Sequence, residues 1–127
     1  MIVVTCAIIE NDGRILVTLR SEKMDLPLKW EFPGGKIEEG ETIEECLVRE
    51  IFEELNIQIK ILLPLQPNVH LYPNGKEIYL LPFACEYISG SILLTEHADF
   101  KWLKKEELSS LDWAEADIPI VQAYINQ

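Results

Sequence analysis

The stretch that decides the fold is GKIEEGETIEECLVREIFEELNI, which runs from Gly35 to Ile57. Thr42, followed three residues later by Glu45, forms a capping box and predicts the start of a helix. We expect the helix to end near Asn56, because Asn readily adopts the left-handed conformation that closes helices. Apolar residues recur every four positions and predict the helix face that packs on the core: Leu47, Ile51 and Leu55.

Three glutamates of the same helix are predicted to share another face. Glu50, Glu53 and Glu54 stand at positions i, i+3 and i+4, which are neighbours on a helix surface. Like charges at this spacing repel one another, so the arrangement costs stability unless a cation lies among them. Mg²⁺ or Mn²⁺ would suit the site, because hard divalent cations take oxygen ligands. The ordinary alternative is a solvated acidic helix face.

The whole stretch resembles the Nudix box, whose pattern is G-x5-E-x7-R-E-U-x-E-E-x-G-U, with U a bulky aliphatic residue. The run WEFPG at 30–34, just before it, brings the resemblance closer to the MutT-like and CTP pyrophosphohydrolase branch. The second glycine of the pattern is Asn56 here, which we interpret as tolerated because that position shapes the chain and does no chemistry. The matching positions are Gly35, Glu41, Arg49, Glu50, Ile51, Glu53, Glu54 and Ile57.

The resemblance implies a hydrolase with Mg²⁺ as cofactor, or Mn²⁺ in its place. Arg49 would orient a glutamate by a charge-assisted hydrogen bond, and Glu41 would support or link to the metal ligands. Glu96 would complete the metal site and help to activate water, or else is plain surface. Its neighbour His97 is interpreted as structural or exposed. The implied metal ligands are Glu50, Glu53, Glu54 and the carbonyl of Gly34, and the implied catalytic residues are Glu53, Glu50, Arg49 and Glu96.

The candidates for holding the substrate are Arg20, Lys36, Phe32 and Asp117. In proteins similar to this one, an arginine at the end of the second strand touches the nucleotide, and Lys36 could reach a phosphate. Phe32, like Trp30, could stack on a base or could belong to the core. Asp117 matches a position that faces the base in MutT-like enzymes, where a carboxylate could accept a hydrogen bond from an amine such as N4 of cytosine. Its alternative role is helix N-capping.

Composition limits the classes of partner. Acidic residues outnumber basic ones 22 to 11, and a net charge of −11 makes nucleic acid an unsuitable partner. No apolar run approaches the roughly 20 residues that span a bilayer, and the start of the chain lacks signal-peptide features. We therefore expect a cytoplasmic protein with no membrane partner. The sequence leaves both a monomer and a homodimer open. The cysteines predict buried, reduced thiols: Cys6, Cys46 and Cys85.

Strand signals dominate outside the central helix and predict an α+β protein. A chain of 127 residues fits a single domain, 1–127. Hairpin turns are expected at 11–13 and 72–75, where Asp-Gly and Asn-Gly occur. A C-terminal helix is expected from Ala116 to Tyr124. The resemblance implies the Nudix fold, a mixed β-sheet packed between helices. The predicted strands are 2–9, 15–19, 57–65, 77–87 and 100–103, with one more strand directly before the turn at 72–75.

The leading functional hypothesis is a nucleoside triphosphate pyrophosphohydrolase, in which water attacks phosphorus and a small nucleotide yields its monophosphate and pyrophosphate. Cytidine-type or oxidised nucleotides are the expected substrates. One alternative is a Nudix hydrolase of nucleotide sugars, dinucleotides or ADP-ribose. Another is a non-catalytic nucleotide-binding domain that regulates a partner, against which the intact glutamate set argues.

Overall fold

Eight strands form one sheet in the computed structural model, which describes all residues 1–127. They are β1 (Ile2–Asn11), β2 (Arg14–Leu19), β3 (Trp30–Glu31), β4 (Gly34–Lys36), β5 (Gln58–Pro64), β6 (Asn68–Leu71), β7 (Glu77–Ser89) and β8 (Asp99–Leu103). The helices are α1 (Ile43–Leu55) and α2 (Ile118–Ile125), with 3-10 turns at Lys105–Ser110 and Glu115–Asp117.

The sheet is mixed, as predicted. Its main path runs β3-β2-β1-β7-β5, and β1 pairs with β7 in parallel, with Ile2 opposite Ile78. The other pairings are antiparallel: β4 joins β1, β6 joins β7, and β8 joins β2. The long β1 and β7 therefore form the centre from which the shorter strands extend.

Alternation along β1 sends side chains to two separate cores. Ala7 and Ile9 face one core, whereas Cys6 and Ile8 face the other. Helix α1 covers the first core with its predicted apolar face, and α2 covers the second. The helix residues buried in these two cores are Leu47, Ile51 and Leu55 from α1, and Ile120, Val121 and Tyr124 from α2. The predicted sheet between helices is confirmed.

Local signals in the sequence specify the ends of α1 and the first hairpin. The Thr42 side chain accepts a hydrogen bond from the Glu45 amide at 3.1 Å, and Glu45 accepts one from the Thr42 amide at 2.8 Å. At the turn between β1 and β2, Asp12 and Gly13 have φ of 51° and 76°, as a two-residue hairpin turn requires. The capping box and this turn are both confirmed.

The C-terminal helix begins later than the sequence predicts. Residues Glu115–Asp117 form a 3-10 turn, and α2 starts at Ile118 with Pro119 in its first turn. The strands β3 and β4 were not predicted, because two- and three-residue strands carry no periodicity of their own. Tertiary contacts hold β3 instead, since Trp30 exchanges backbone hydrogen bonds with Asp112 and Ala114. Neither helix has the length and apolar content needed to cross a membrane.

Asn56 closes α1 in the left-handed conformation, with φ 60° and ψ 30°, and its amide donates to the carbonyl of Phe52. Its side chain also donates to the Ser91 carbonyl at 3.3 Å, an exposed contact that the sequence did not predict.

We expect Asn56→Gly to keep kcat within about twofold and to change the free energy of unfolding by less than ~1 kcal/mol, because glycine adopts this φ without steric cost. Kinetics and thermal unfolding test this, and a large loss of kcat would reveal a chemical role for the amide.

Candidate functional site

One pocket of about 720 Å³ opens where β1, β4, α1 and the turn after β6 approach one another. Its two sides differ in character. One side is acidic, and the other combines apolar side chains with a few polar groups. The acidic side chains lining it are Glu31, Glu50, Glu54 and Glu96, and the other side includes Val4, Cys6, Phe32, Leu80, Ala116 and Asp117.

Glu54 is the most deeply placed carboxylate on the acidic side. Its side chain is 13% exposed, and its Oε1 is buried without a hydrogen-bond partner. Burial, with Glu50 next and then Glu31 and Glu96, raises the pKa of Glu54 well above its usual range. A buried carboxylate in this setting favours either a proton or a cation, so this wall is electrostatically suited to a positively charged ligand.

Arg49 lies at the centre of an ion cluster beside the pocket. It makes a two-pronged contact with Glu41, at 2.8 and 3.0 Å, which lowers the pKa of that carboxyl to about 2. It also contacts Glu50 Oε1 at 3.0 Å and Glu53 Oε2 at 3.1 Å. The predicted role of Arg49 as a residue that orients a glutamate thus has suitable contacts with Glu50, and Glu41 reaches the cluster through Arg49.

The three helix glutamates do not all face the pocket. Glu50 and Glu54 line it, but Glu53 does not, and the Glu53 side chain is 58% exposed beside Arg49. No group of three His, Cys, Asp or Glu side chains is arranged closely enough to hold a metal ion as they stand. The arginine supplies the positive charge on this helix face. A metal role for Glu53 remains a prediction.

The glycine pair of β4 allows the strand to approach β1 and α1. A Cβ on Gly34 would lie 1.9 Å from the Thr5 carbonyl oxygen, and one on Gly35 would lie 2.3 Å from the carboxyl carbon of Glu50. Only glycine fits at either position without displacement of a neighbour. Both glycines line the pocket next to Glu50, where the carbonyl of Gly34 remains a predicted metal ligand.

The four predicted substrate-binding residues all line this pocket: Arg20, Lys36, Phe32 and Asp117. Arg20 follows β2 and forms a 2.7 Å ion pair with Glu31, while its Nε donates to the Asp25 carbonyl at 2.6 Å. Lys36 is exposed at the end of β4. The chain therefore brings two cationic side chains to the same cavity as the glutamates.

Phe32 and Asp117 lie together on the other side of the pocket. Phe32 is 3% exposed and packs on Trp113 with ring centroids 4.9 Å apart, whereas Trp30 is a core residue outside the pocket lining. Asp117 Oδ2 accepts a hydrogen bond from the Phe32 amide at 3.0 Å and makes no capping hydrogen bond to α2. The N-capping alternative for Asp117 is wrong, because its side chain makes no hydrogen bond to the first turn of α2 and accepts one from the Phe32 amide instead. Burial raises the pKa of Asp117 to about 8.

Two residues that line the pocket were not predicted as site residues: Glu31 and His97. Glu31 lies between Arg20 and His97, and His97 lies between Glu31 and Glu54. The exposed alternative for His97 is wrong, since its side chain is 2% exposed. The feature that could have marked Glu31 as a site residue is its place between two candidate stacking residues, Trp30 and Phe32. For His97 no local pattern exists, because its partners are 66 and 43 positions away in the chain.

Comparison with known proteins agrees with this arrangement. The family model described as the NUDIX domain matches residues 1–124. The chain belongs to the Nudix family. It is 36% identical to the CTP pyrophosphohydrolase of Escherichia coli (strain K12), over 98% of this chain and 92% of that protein. It is 37% identical to the nucleoside triphosphatase NudI of Salmonella newport (strain SL254), with 86% of each chain covered.

A solved structure of a Nudix protein is similar along almost its whole length. The solution structure of DNA mismatch repair protein MutT from methicillin-resistant Staphylococcus aureus 252 is 42% identical and matches with a TM-score of 0.78, over 98% of this chain and 95% of that one. The predicted Nudix fold and the predicted enzyme class, a Nudix hydrolase, are confirmed. Nudix hydrolases generally need divalent metal ions, which suits the acidic side of the pocket.

Proposed function

We propose that this Nudix hydrolase is a pyrophosphohydrolase that converts a nucleoside triphosphate and water into a monophosphate and pyrophosphate. The observation that carries the proposal is a single pocket lined by the carboxylates of Glu50 and Glu54, by the cationic Arg20 and Lys36, and by an apolar side that includes Asp117, a combination that suits a nucleotide. The similarity to proteins named CTP pyrophosphohydrolase and nucleoside triphosphatase supports the same substrate class.

Mg²⁺ is the metal that we assign to the acidic side, with Mn²⁺ as a substitute. The donor set consists of oxygens, which hard divalent cations prefer, and the unpartnered Oε1 of Glu54 is a buried acceptor that a cation would satisfy. The proposed ligands are Glu50, Glu53, Glu54, Glu96 and the carbonyl of Gly34. When bound, the metal neutralises phosphate charge and lowers the pKa of water.

The remaining roles, which are to orient a carboxylate, bind the nucleotide and exclude water, are assigned to side chains of the protein. Arg49 holds Glu50 at 3.0 Å and so fixes the direction in which that carboxylate faces the pocket. Arg20 and Lys36 are assigned to the phosphates or ribose, because their charges oppose those of a triphosphate. The buried apolar wall around Phe32 excludes water from the base and strengthens the polar contacts made beside it.

Asp117 is assigned to the recognition of the base, because it is the acid on the apolar side of the pocket. An ionised carboxyl accepts hydrogen bonds from an amine such as N4 of cytosine. The raised pKa of about 8 modifies the simple expectation that Asp117 offers only acceptors. Below that pH the carboxyl carries a proton and can also donate to a carbonyl, and above it the carboxyl only accepts.

We place the enzyme in the cytosol, where its three free, buried thiols stay reduced.

The test of the proposed function is a substrate panel with Mg²⁺, followed by identification of the products. The panel contains CTP, dCTP, 8-oxo-dGTP, a nucleotide sugar, a dinucleotide and ADP-ribose. We expect the triphosphates to give monophosphate and pyrophosphate, and chelation of the metal to abolish turnover. Release of orthophosphate instead of pyrophosphate, or turnover confined to the sugar, dinucleotide and ADP-ribose substrates, would contradict the proposal.

Asp117→Asn is expected to reduce the preference for an amine-bearing base. The ratio of kcat/KM for dCTP to that for 8-oxo-dGTP should fall by about 10- to 100-fold at pH 9, where Asp117 is ionised, since one matched hydrogen bond is lost. At pH 6.5, where the carboxyl is protonated, the change should be smaller, because a protonated acid and an amide both carry a donor and an acceptor. Kinetics at both pH values check this.

The control for this prediction is the wild-type ratio measured across the same pH range. In the wild type the preference for dCTP should grow as the pH rises through about 8, as Asp117 loses its proton. In Asp117→Asn the ratio should not depend on pH in this range. A ratio that is unchanged by the substitution at both pH values would remove Asp117 from base recognition.

A further inference from the structure

A buried histidine lies between the two sides of the pocket. The His97 side chain is 2% exposed, and its Nε2 donates a hydrogen bond to Glu31 Oε2 at 2.8 Å. On the other side of the ring, Nδ1 lies 3.8 Å from Glu54 Oε1, and neither of these two atoms has a hydrogen-bond partner. Burying an imidazole between two carboxylates from different elements costs free energy, and a residue with only a packing role would not require such polar neighbours.

Glu31 uses its two oxygens for two different partners. Oε2 accepts from His97, and Oε1 accepts from Arg20 Nη1 at 2.7 Å. The Glu31 side chain is 17% exposed, so both contacts lie in partly dehydrated surroundings, where charge-assisted bonds are strong. The direction of the Glu31 carboxylate, and with it the position of the Arg20 guanidinium, therefore depends on where His97 holds the second oxygen.

The segment that carries His97 is anchored at both ends. Before it, the Thr95 amide donates to the Glu54 carbonyl at 3.2 Å, at the end of α1. After it, the Ala98 amide donates to the Leu19 carbonyl at 2.9 Å, next to Arg20. The ring is thus tied to the helix that supplies the glutamates and to the strand that supplies the arginine. Such anchoring lets a side chain hold another group to within the small tolerance that a binding site needs.

We propose that His97 is a positioning residue for nucleotide binding: it holds Glu31 so that Glu31 can hold Arg20 toward the substrate. The inference rests on the proposed function, because it assigns Arg20 to the nucleotide. His97 does not touch the substrate in this scheme and acts only through Glu31. Its loss should therefore raise KM more than it lowers kcat.

The experiment compares His97→Gln, His97→Asn and His97→Phe with the wild type. The amide nitrogen of Gln can occupy the place of Nε2 and donate to Glu31, whereas the shorter Asn cannot reach it and Phe keeps only the ring. Binding is measured by calorimetry with Mg²⁺ and a dCTP analogue that carries a methylene bridge between its α- and β-phosphates, so the readout does not require turnover. Kinetics with dCTP and thermal unfolding complete the set.

We expect His97→Gln to bind the analogue within about threefold of the wild type, and His97→Asn and His97→Phe to bind it at least about tenfold more weakly. In a Glu31→Ala background, Gln and Asn at position 97 should bind equally, because their difference acts through Glu31. If His97→Phe does not fold, the comparison of Gln with Asn still decides the matter.

Three results would overturn the inference. One is equal binding by the Gln and Asn variants in the native background. Another is a difference between them that persists without the Glu31 carboxylate. A loss of thermal stability with unchanged affinity would likewise leave His97 as a packing residue. Failure of the wild type to hydrolyse any triphosphate would instead contradict the proposed function, and the binding comparison separates these cases.

Discussion

Replacing Glu54 by glutamine is expected to lower kcat on the order of 10³-fold while the fold is kept. Glutamine preserves the shape of the side chain but removes the negative charge of a carboxylate that lines the pocket beside Glu50. A loss of this size corresponds to about 4 kcal/mol of transition-state stabilisation, the range expected when a charged group is removed from a metal-dependent site. The measurements are kcat with saturating Mg²⁺ and circular dichroism.

The same substitution should make the metal-free protein more stable. Glu54 has a buried oxygen without a partner and lies close to Glu50, so the charge costs free energy in the absence of a cation. We expect the Tm of Glu54→Gln in a chelating buffer to rise by about 3–6 °C, which corresponds to roughly 1 kcal/mol for a domain of this size. Loss of activity with a gain in stability is typical of groups retained for function.

Two other substitutions in α1 serve as comparisons. Glu44→Gln removes an exposed charge in the first turn of the helix and should leave kcat unchanged. Glu53→Gln should also lose on the order of 10³-fold if Glu53 is a metal ligand, although its side chain is exposed beside Arg49. A folded Glu54→Gln enzyme with near wild-type turnover would contradict the assignment of the acidic side of the pocket.

The parts of the fold that could be predicted are those controlled by neighbours in the sequence. The capping box of α1, the left-handed Asn56 and the turn at Asp12 and Gly13 each depend on interactions within a few residues. The apolar period of α1 predicted its core face for the same reason. The Nudix box made many site residues predictable as well, since it places them within one short segment.

The contacts that assemble the pocket could not be predicted, because they join residues that are distant in the chain. Asp117 accepts from the Phe32 amide 85 positions away, and His97 reaches Glu31 over 66 positions. Asp117 was open to interpretation as a helix cap, since capping is what Asp does most readily near a helix start. Only the packing of β3 against the segment before α2 reveals that its carboxyl faces the pocket. Helical spacing alone likewise cannot show that the Glu53 side chain is exposed.

Substitution of either glycine of β4 is expected to have a large effect. The effect should differ between the two positions, because an added Cβ would meet different neighbours. A Cβ at Gly34 would collide with the backbone of β1, at 1.9 Å from the Thr5 carbonyl oxygen, and a strand cannot yield there without loss of its pairing. A Cβ at Gly35 would meet the carboxyl end of Glu50, at 2.3 Å from its Cδ. That end belongs to a flexible side chain, so it can move aside at little cost to the fold.

Gly35→Ala should therefore lower kcat by about 10²-fold or more with only a small change in Tm, since a displacement of about 1 Å at a reacting group can cost that much. Gly34→Ala should instead lower the free energy of unfolding by about 3 kcal/mol or more, because the clash is with backbone. Thermal unfolding and kinetics of both variants separate the two effects. The decisive comparison is Gly35→Ala in the Glu50→Ala background, where the added methyl has no carboxyl to displace and should cost almost nothing further. An equally large additional loss in that background would mean that Gly35 matters through its backbone and not through the space it leaves for Glu50.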